Sequence, residues 1–335
     1  MRALAITDDR SIRVIDVAPP SVASGEVRLR VSYCGICGSD LHMPGNERVP
    51  VGRILGHEFS GVVAEVGADV TGAWSVGERV AVMPIEFCGQ CAACRGGDGI
   101  CPTGLTASPG TGRQGGFAAT VSVPAIMLQR LPDSVSDEGG AVAEPLAVAV
   151  RGVAHSDATP GEPICVLGAG PVGFMTVVAA QARGLGPIIV VEPNAARRDK
   201  IRVLGVPVCL PDEAPVAVAE SLGAPPHVVI DCTGHPGGIR LATALLAPRG
   251  RLVVVGIPGE PIPTDFMSVV TKELTIKGSL VYTPANFAEA LTHIAGGRVP
   301  LDEIVTGVVG LDDAPGVIAD LASGNSSHMK VLFKP

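Results

Sequence analysis

The stretch Ile164-Cys165-Val166-Leu167-Gly168-Ala169-Gly170-Pro171-Val172-Gly173 decides the fold. Four apolar residues run straight into a glycine-rich turn, and a helical pattern continues to about Arg183. A strand apolar on both faces, followed by a tight turn and a helix, is the first half of a βαβ unit. In such a turn Gly168 permits the bend, Gly170 lets a pyrophosphate approach the backbone, and Gly173 lets helix and strand pack closely. Pro171 and Val172 open the helix, whose free amides then meet the anion. Glu192 ends the next apolar run, nineteen residues beyond Gly173. At that place a carboxylate accepts from ribose hydroxyls and repels a 2′-phosphate, which predicts NAD over NADP. Arg197, five residues on, reads either as stacking near the adenine ribose or as a solvated helix residue. Thr233, after the third apolar run, is assigned to the same cofactor site.

The rhythm of residues 164–168 recurs at 188–192, 227–234 and 251–256, each run followed by a helical stretch. Apolar strands alternating with helices predict a doubly wound parallel sheet, which residues 273–282 are expected to close. Upstream, β-patterned runs at 27–33, 61–67, 79–84 and 117–123 are separated by Gly/Pro turns. That spacing predicts a compact, barrel-like β domain. The chain is thus expected to be α/β in two parts: residues 153–282 as the dinucleotide domain, and 1–152 with 283–335 as the other. The final fifty residues are expected to hold helices at about 286–296 and 314–323 and a strand at 330–333.

Composition excludes several classes. The net charge of −8 and the absence of a Lys/Arg block leave no electrostatic footprint for nucleic acid or an anionic membrane. The first residues carry no charged segment followed by an apolar one, and no apolar run is long enough for a bilayer. A cytoplasmic enzyme is expected. Nine cysteines in such a chain point away from disulfides, and four of them lie within fourteen residues, a crowding that usually means metal. Cys34, Cys165, Cys209 and Cys232 sit in apolar or strand contexts and read as buried, inert thiols.

Two segments carry metal chemistry. Residues 34–42, CGICGSDLH, follow a predicted strand, and Gly56-His57-Glu58 comes fifteen residues later. Zinc takes thiolate, imidazole and carboxylate ligands, and a catalytic zinc keeps one position open. Cys37 and His57 supply the first two, and a carboxylate can fill the third place. Separately, Cys88, Cys91, Cys94 and Cys101 offer four thiolates for a closed tetrahedral site, with a metal-free or oxidised lobe as the alternative.

CGICGSDLH, GHEFSGVVAEVG, the Cys88–Cys101 lobe, EPLAV and VLGAGPVG stand in the order and spacing of the medium-chain, zinc-containing alcohol dehydrogenase superfamily. The chain resembles this superfamily over nearly its whole length, and most closely its polyol (sorbitol), 2,3-butanediol and threonine dehydrogenase branch. The resemblance implies a GroES-like catalytic domain beside the NAD-binding Rossmann domain, one catalytic and one structural zinc, and a homotetramer or homodimer. It implies that Cys37 and His57 are constant zinc ligands, with Glu58 or Glu144 as the third; the sequence does not rank the two. Liver-type enzymes carry cysteine where this chain has Glu144, so it lies outside that branch. Asp40 is implied to orient His57, and Ser39 and His42 to relay a proton, although His42 also reads as a surface histidine. The last gap of the cysteine lobe is six residues, where seven is usual.

The implied activity is hydride transfer between a secondary alcohol or polyol and NAD. Alternatives are a threonine-type amino-alcohol dehydrogenase and, at greater distance, a zinc-free NADPH enone or quinone reductase. The reductase has no use for either ligand set. A zinc-ribbon DNA-binding module is disfavoured by the acidic balance and the dinucleotide half. Phe117, residues 43–46 and residues 279–283 are expected to wall the substrate pocket.

Overall fold

Along Glu26–Gly35 the side chains of Val27, Leu29 and Val31 are buried while Arg30 is exposed. This period of two makes a strand with one face on a core. The computed structural model describes residues 1–324 and 326–335. In chain order the strands are β1 (Arg2–Ile6), β2 (Ile12–Asp16), β3 (Glu26–Gly35), β4 (Glu58–Val66), β5 (Arg79–Val82), β6 (Thr120–Pro124) and β7 (Leu128–Arg130). Next come β8 (Ile164–Leu167), β9 (Ile188–Val191), β10 (Val208–Cys209), β11 (Val228–Asp231), β12 (Arg251–Val254) and β13 (Thr275–Gly278). The chain ends with β14 (Val305–Val309) and β15 (Lys330–Phe333).

Two units result, Met1–Glu144 with Val305–Pro335, and Pro145–Ile304. In the first, a sheet of order β14-β15-β3-β4-β5-β7, with β6 also on β3, surrounds a core that includes Phe59, Phe117, Val123 and Phe333. The pairing places Gly35 of β3 against both Glu58 of β4 and Leu332 of β15. The start of β4, the end of β3 and the start of β15 therefore meet at one end of this sheet. The hairpin β1–β2 lies on the same core, with Leu4 N donating to Phe117 O and Ile6 N to Arg53 O.

In the second unit, β10-β9-β8-β11-β12-β13 form a wholly parallel sheet, the doubly wound arrangement expected from the alternating runs. All four residues of β8, β9 and β11 are buried, as strands covered on both faces must be.

Contacts divide the chain differently from the sequence expectation, and two local elements differ from it. Residues 145–152 and 283–304, assigned to the catalytic part from the sequence, belong by their contacts to the second unit. The reason is tertiary: on the helix Pro284–Ala295, Phe287 packs on Tyr282 with ring centroids 5.7 Å apart, and Glu289 pairs with Arg183 at 2.8 Å. Lys200 likewise pairs with Glu303 at 2.9 Å. Of residues 273–282 only Thr275–Gly278 is a strand. The β1–β2 hairpin, weakly patterned in the sequence, went unanticipated.

Candidate metal and cofactor sites

The short helix Gly38–His42 starts at Cys37 and carries Ser39, Asp40 and His42. Asp40 is buried and links two chain segments: Oδ2 accepts from Cys37 N at 2.9 Å and Oδ1 from Gly56 N at 3.3 Å. Its Oδ1 also lies 3.5 Å from His57 Nδ1. A carboxylate on Nδ1 leaves Nε2 free to face a metal, the orienting arrangement expected of Asp40. Burial works against a charged His57 ring, but Asp40 and Cys37 outweigh it and hold the pKa well above the usual value.

The donor atoms of Cys37, His57 and Glu58 all lie within 4.8 Å of one another. A soft thiolate, an imidazole and a carboxylate at that spacing fit zinc. Glu58, however, has a partner that sequence reading did not find. Lys330 Nζ, buried at the start of β15, donates to Glu58 Oε1 at 2.9 Å, to Oε2 at 2.7 Å and to Ile36 O at 3.1 Å. Burial lowers the pKa of Lys330, yet Glu58, Cys37 and Glu144 more than offset this and raise it. Gly35 makes room for the pair, since a methyl there would collide with the Glu58 carboxylate. Both Glu58 oxygens are thus held by a cation, while Glu144, also buried, stands near enough to influence the same lysine. No signal within the C-terminal strand marks Lys330; only sheet pairing reveals it.

Ser39 Oγ lies 3.5 Å from His57 Nε2, and His42 ends the same helix with its side chain exposed. Phe117 is a core residue: it is fully buried, edge-on to Phe333 at 5.7 Å and packed under Gly56.

The four-cysteine lobe closes despite its shortened gap. The sulfurs of Cys88, Cys91, Cys94 and Cys101 lie within 4.8 Å of one another, and no cysteine is in a disulfide. Backbone amides turn toward them: Cys91 N to Cys88 Sγ, Cys94 N to Cys91 Sγ and Gly104 N to Cys101 Sγ, each 3.4 Å. Cys91 and Cys101 each begin a short helix, so helix starts stabilise sulfur charge. Amides of Gln90 and Cys91 pull Cys88 down to about 6, whereas burial pushes Cys94 up to about 12. Such a lobe fits a closed zinc site. By contrast, burial raises the thiols of Cys34, Cys165, Cys209 and Cys232, as expected of inert cysteines.

In the second unit Gly168 has φ +90°, and Gly170 caps the helix Pro171–Ala182, with Pro171 at its first position and Val172 next. A methyl on Gly173 would strike Gly168 O, while one on Gly170 would meet nothing closer than Arg197 Nη1 at 3.8 Å. The space over Gly170 at a helix start is a cradle that fits a pyrophosphate. Arg197 therefore reaches over the loop, which favours the cofactor-side reading over the solvated one. Glu192 is buried, accepting from Ala169 N and Asn194 N at 2.7 Å each. It braces the glycine loop, and its remaining lone pairs are what a ribose would meet. Thr233 donates to Asp231 Oδ1 at 2.6 Å and packs against Gly168, so it supports the loop from the neighbouring strand.

This combination of a β unit bearing a Cys/His/carboxylate cluster and a thiolate lobe, with a dinucleotide-type parallel sheet, defines a zinc-type dehydrogenase. Residues 23–133 match the alcohol dehydrogenase GroES-like domain, and residues 171–296 match the zinc-binding dehydrogenase model. The chain is 36% identical to 2-dehydro-3-deoxy-L-galactonate 5-dehydrogenase of Pseudoalteromonas atlantica, covering 100% of this chain and 98% of the relative. It is 33% identical to (R,R)-butanediol dehydrogenase of Bacillus subtilis, covering all of both. Among solved structures, it is similar to an alcohol dehydrogenase (rspB) of Escherichia coli CFT073 complexed with NADH, with TM-score 0.90, 29% identity and 100% and 99% coverage. A zinc-binding dehydrogenase of Sinorhizobium meliloti 1021 bound to NADP gives 0.88, 28% and the same coverage. The chain belongs to the zinc-containing medium-chain alcohol dehydrogenase family, and its two units are that family's GroES-like and Rossmann parts.

Proposed function

We propose that this chain is a zinc- and NAD-dependent dehydrogenase of secondary alcohols or polyols. The observation that carries the reading is the convergence of Cys37, His57 and Glu58, with Asp40 behind the histidine. Bound at this cluster and above Gly170, zinc would supply a Lewis acid that eases loss of the alcohol proton, and NAD an acceptor for hydride. The protein's own residues prepare both. Asp40 fixes the imidazole so that Nε2 faces the metal, and it ties Cys37 to the Gly56–His57 turn. Lys330 holds Glu58 by both oxygens and tunes its charge beside the cluster, and Glu58 or Glu144 would complete the ligand set. Ser39, beside His57, and His42, exposed at the end of the same helix, would relay the alcohol proton to water, the serine hydroxyl giving up its own proton as it accepts one. The helix start at Gly170–Gly173 takes the pyrophosphate, with Arg197 over it, Thr233 bracing the loop, and Glu192 at the ribose excluding a 2′-phosphate.

The named relatives oxidise or reduce at a carbinol of a small polyhydroxylated or diol compound, as their names state, and this supports the substrate class. Cys88, Cys91, Cys94 and Cys101 would hold a second zinc. Edge strand β13 and the exposed apolar side chains of Phe266, Met267, Val270 and Ile276 nearby support a homodimer or homotetramer. Among the described residues no helix is long and apolar enough to cross a membrane.

The test combines metal analysis with NAD- and NADP-reduction assays over diols, sugar alcohols, threonine and simple secondary alcohols. Two zinc ions per chain and turnover of diols or polyols with NAD are expected. Preferred turnover of threonine would shift the reading to the amino-alcohol enzyme, and zinc-free protein reducing enones with NADPH would sink it.

A further inference from the structure

The tip of the β1–β2 hairpin is built around one residue. Arg10 has φ +59°, in the left-handed region that a non-glycine side chain rarely adopts. Asp9 secures the turn: its carboxylate accepts from Thr7 Oγ1 and Ser11 Oγ at 2.6 Å and from Ser11 N at 3.2 Å, and pairs with Arg13 at 2.5 Å. These bonds hold the Asp9 carboxyl well below the usual carboxylate range. From this braced position the Arg10 guanidinium donates four hydrogen bonds, all to backbone carbonyls of one segment. Nε reaches Pro44 O at 2.7 Å, Nη1 reaches Val49 O at 2.8 Å, and Nη2 reaches Asn46 O at 2.7 Å and Met43 O at 3.3 Å.

The gripped segment follows directly on the helix bearing Ser39, Asp40 and His42, and it leads to Gly56-His57. Its own backbone bonds are few, Asn46 N to Met43 O and Val49 N to Asn46 O. Beyond it, β1 holds the chain again, through Gly52 N to Ile6 O and Ile6 N to Arg53 O. The hairpin thus fixes the far end of the link between the two ligand-bearing segments, and Arg10 hydrogen-bonds its middle from outside, where Met43 and Val49 also pack on the core. Only a planar fork can span four carbonyls; an ammonium offers three donors on a single atom.

We propose that Arg10 is a positioning residue for alcohol selectivity. It preforms the 43–49 segment beside His42, so that the part of the substrate remote from the reacting carbon meets a fixed wall. The proposal rests on the dehydrogenase reading above. Preorganised contacts to that remote part set affinity for the alcohol and the ranking of alcohols, and leave cofactor affinity alone.

Two variants test it. Arg10→Gly suits the positive φ and removes the side chain with its guanidinium; Arg10→Lys keeps the charge and most of the stem but not the fork. Both are expected to bind two zinc ions and to keep kcat and the KM for NAD within about twofold, while the KM for the preferred alcohol rises about tenfold and the ranking of alcohols changes. Hydrogen exchange at the amides of Asn46 and Val49 is expected to accelerate in both. An unchanged alcohol KM and ranking in Arg10→Gly overturns the proposal, as does full rescue by Arg10→Lys. Loss of zinc, or of NAD affinity alongside alcohol affinity, overturns it too, because Arg10 would then serve the fold at large. A wild-type protein inert toward every alcohol instead refutes the dehydrogenase reading on which the proposal stands.

Discussion

The two ligand clusters of this chain are assembled in opposite ways. Cys88, Cys91, Cys94 and Cys101 come from fourteen consecutive residues, run from exposed to buried, and have their sulfurs met by backbone amides of the same loop. Cys37, His57 and Glu58 come from two segments and depend on Asp40, Gly35 and a lysine 272 residues from Glu58. The first cluster is gathered by a local loop; the second by the whole sheet. Ligands close in sequence cost little chain entropy to gather, whereas distant ones must be brought together by a core folded for other reasons. A structural site can therefore be local, while a site that must hold an open, oriented metal position relies on supports from elsewhere.

The sharpest way to break this contrast is at Lys330. Lys330→Met removes one partner of a fully buried ion pair, which is expected to destabilise the first unit by about 3–5 kcal/mol and to lower its thermal transition. The double variant Lys330→Met, Glu58→Leu should recover most of that loss. If the single variant melts like the wild type, the catalytic cluster does not depend on its distant support.

Next in size is Asp40→Asn. With the orienting charge removed but the shape kept, zinc affinity at the catalytic cluster is expected to fall about 10–100-fold, while the thiolate lobe keeps its zinc. Competition with a graded chelator, read as zinc released per chain, separates the two ions. Equal release from both would show that the sites are coupled and the comparison is wrong.

A smaller effect distinguishes the thiols once metal is stripped. Cys88, near 6, is thiolate at neutral pH, while Cys94, near 12, stays protonated. Alkylation of metal-free protein at pH 7 is expected at Cys88 well before Cys94, falling as the pH drops below about 6 because the thiolate is the nucleophile. Mass mapping of the first adduct reads the order, and zinc-loaded protein should resist at both.

Much of this molecule was legible in its residues. The glycine turn at 168–173 with buried strands on either side predicts a parallel sheet, and β8, β9, β11 and β12 lie where those runs stand. The metal motifs stand out in short stretches, and the donor atoms of Cys37, His57 and Glu58, like the four sulfurs of the cysteine lobe, lie within 4.8 Å of one another. Contacts group residues 283–304 with the second unit, which no mark in the sequence indicates; Phe287 against Tyr282 and Glu289 against Arg183 are among them. Phe117 lies in the core, and in sequence an aromatic beside glycines looks alike in a pocket wall and in a core.

The sequence alone determined the classes of chemistry, since zinc ligands and a pyrophosphate cradle need particular residue types at fixed short spacings. Tertiary structure decided which groups answer to which. Lys330 reaches Glu58 only because β15 pairs with β3, and Arg10 reaches residues 43–49 only because the hairpin folds onto the same core. Contacts between residues far apart in sequence leave no periodic signature along the chain; they follow from which strands share an edge and which side chains share a core.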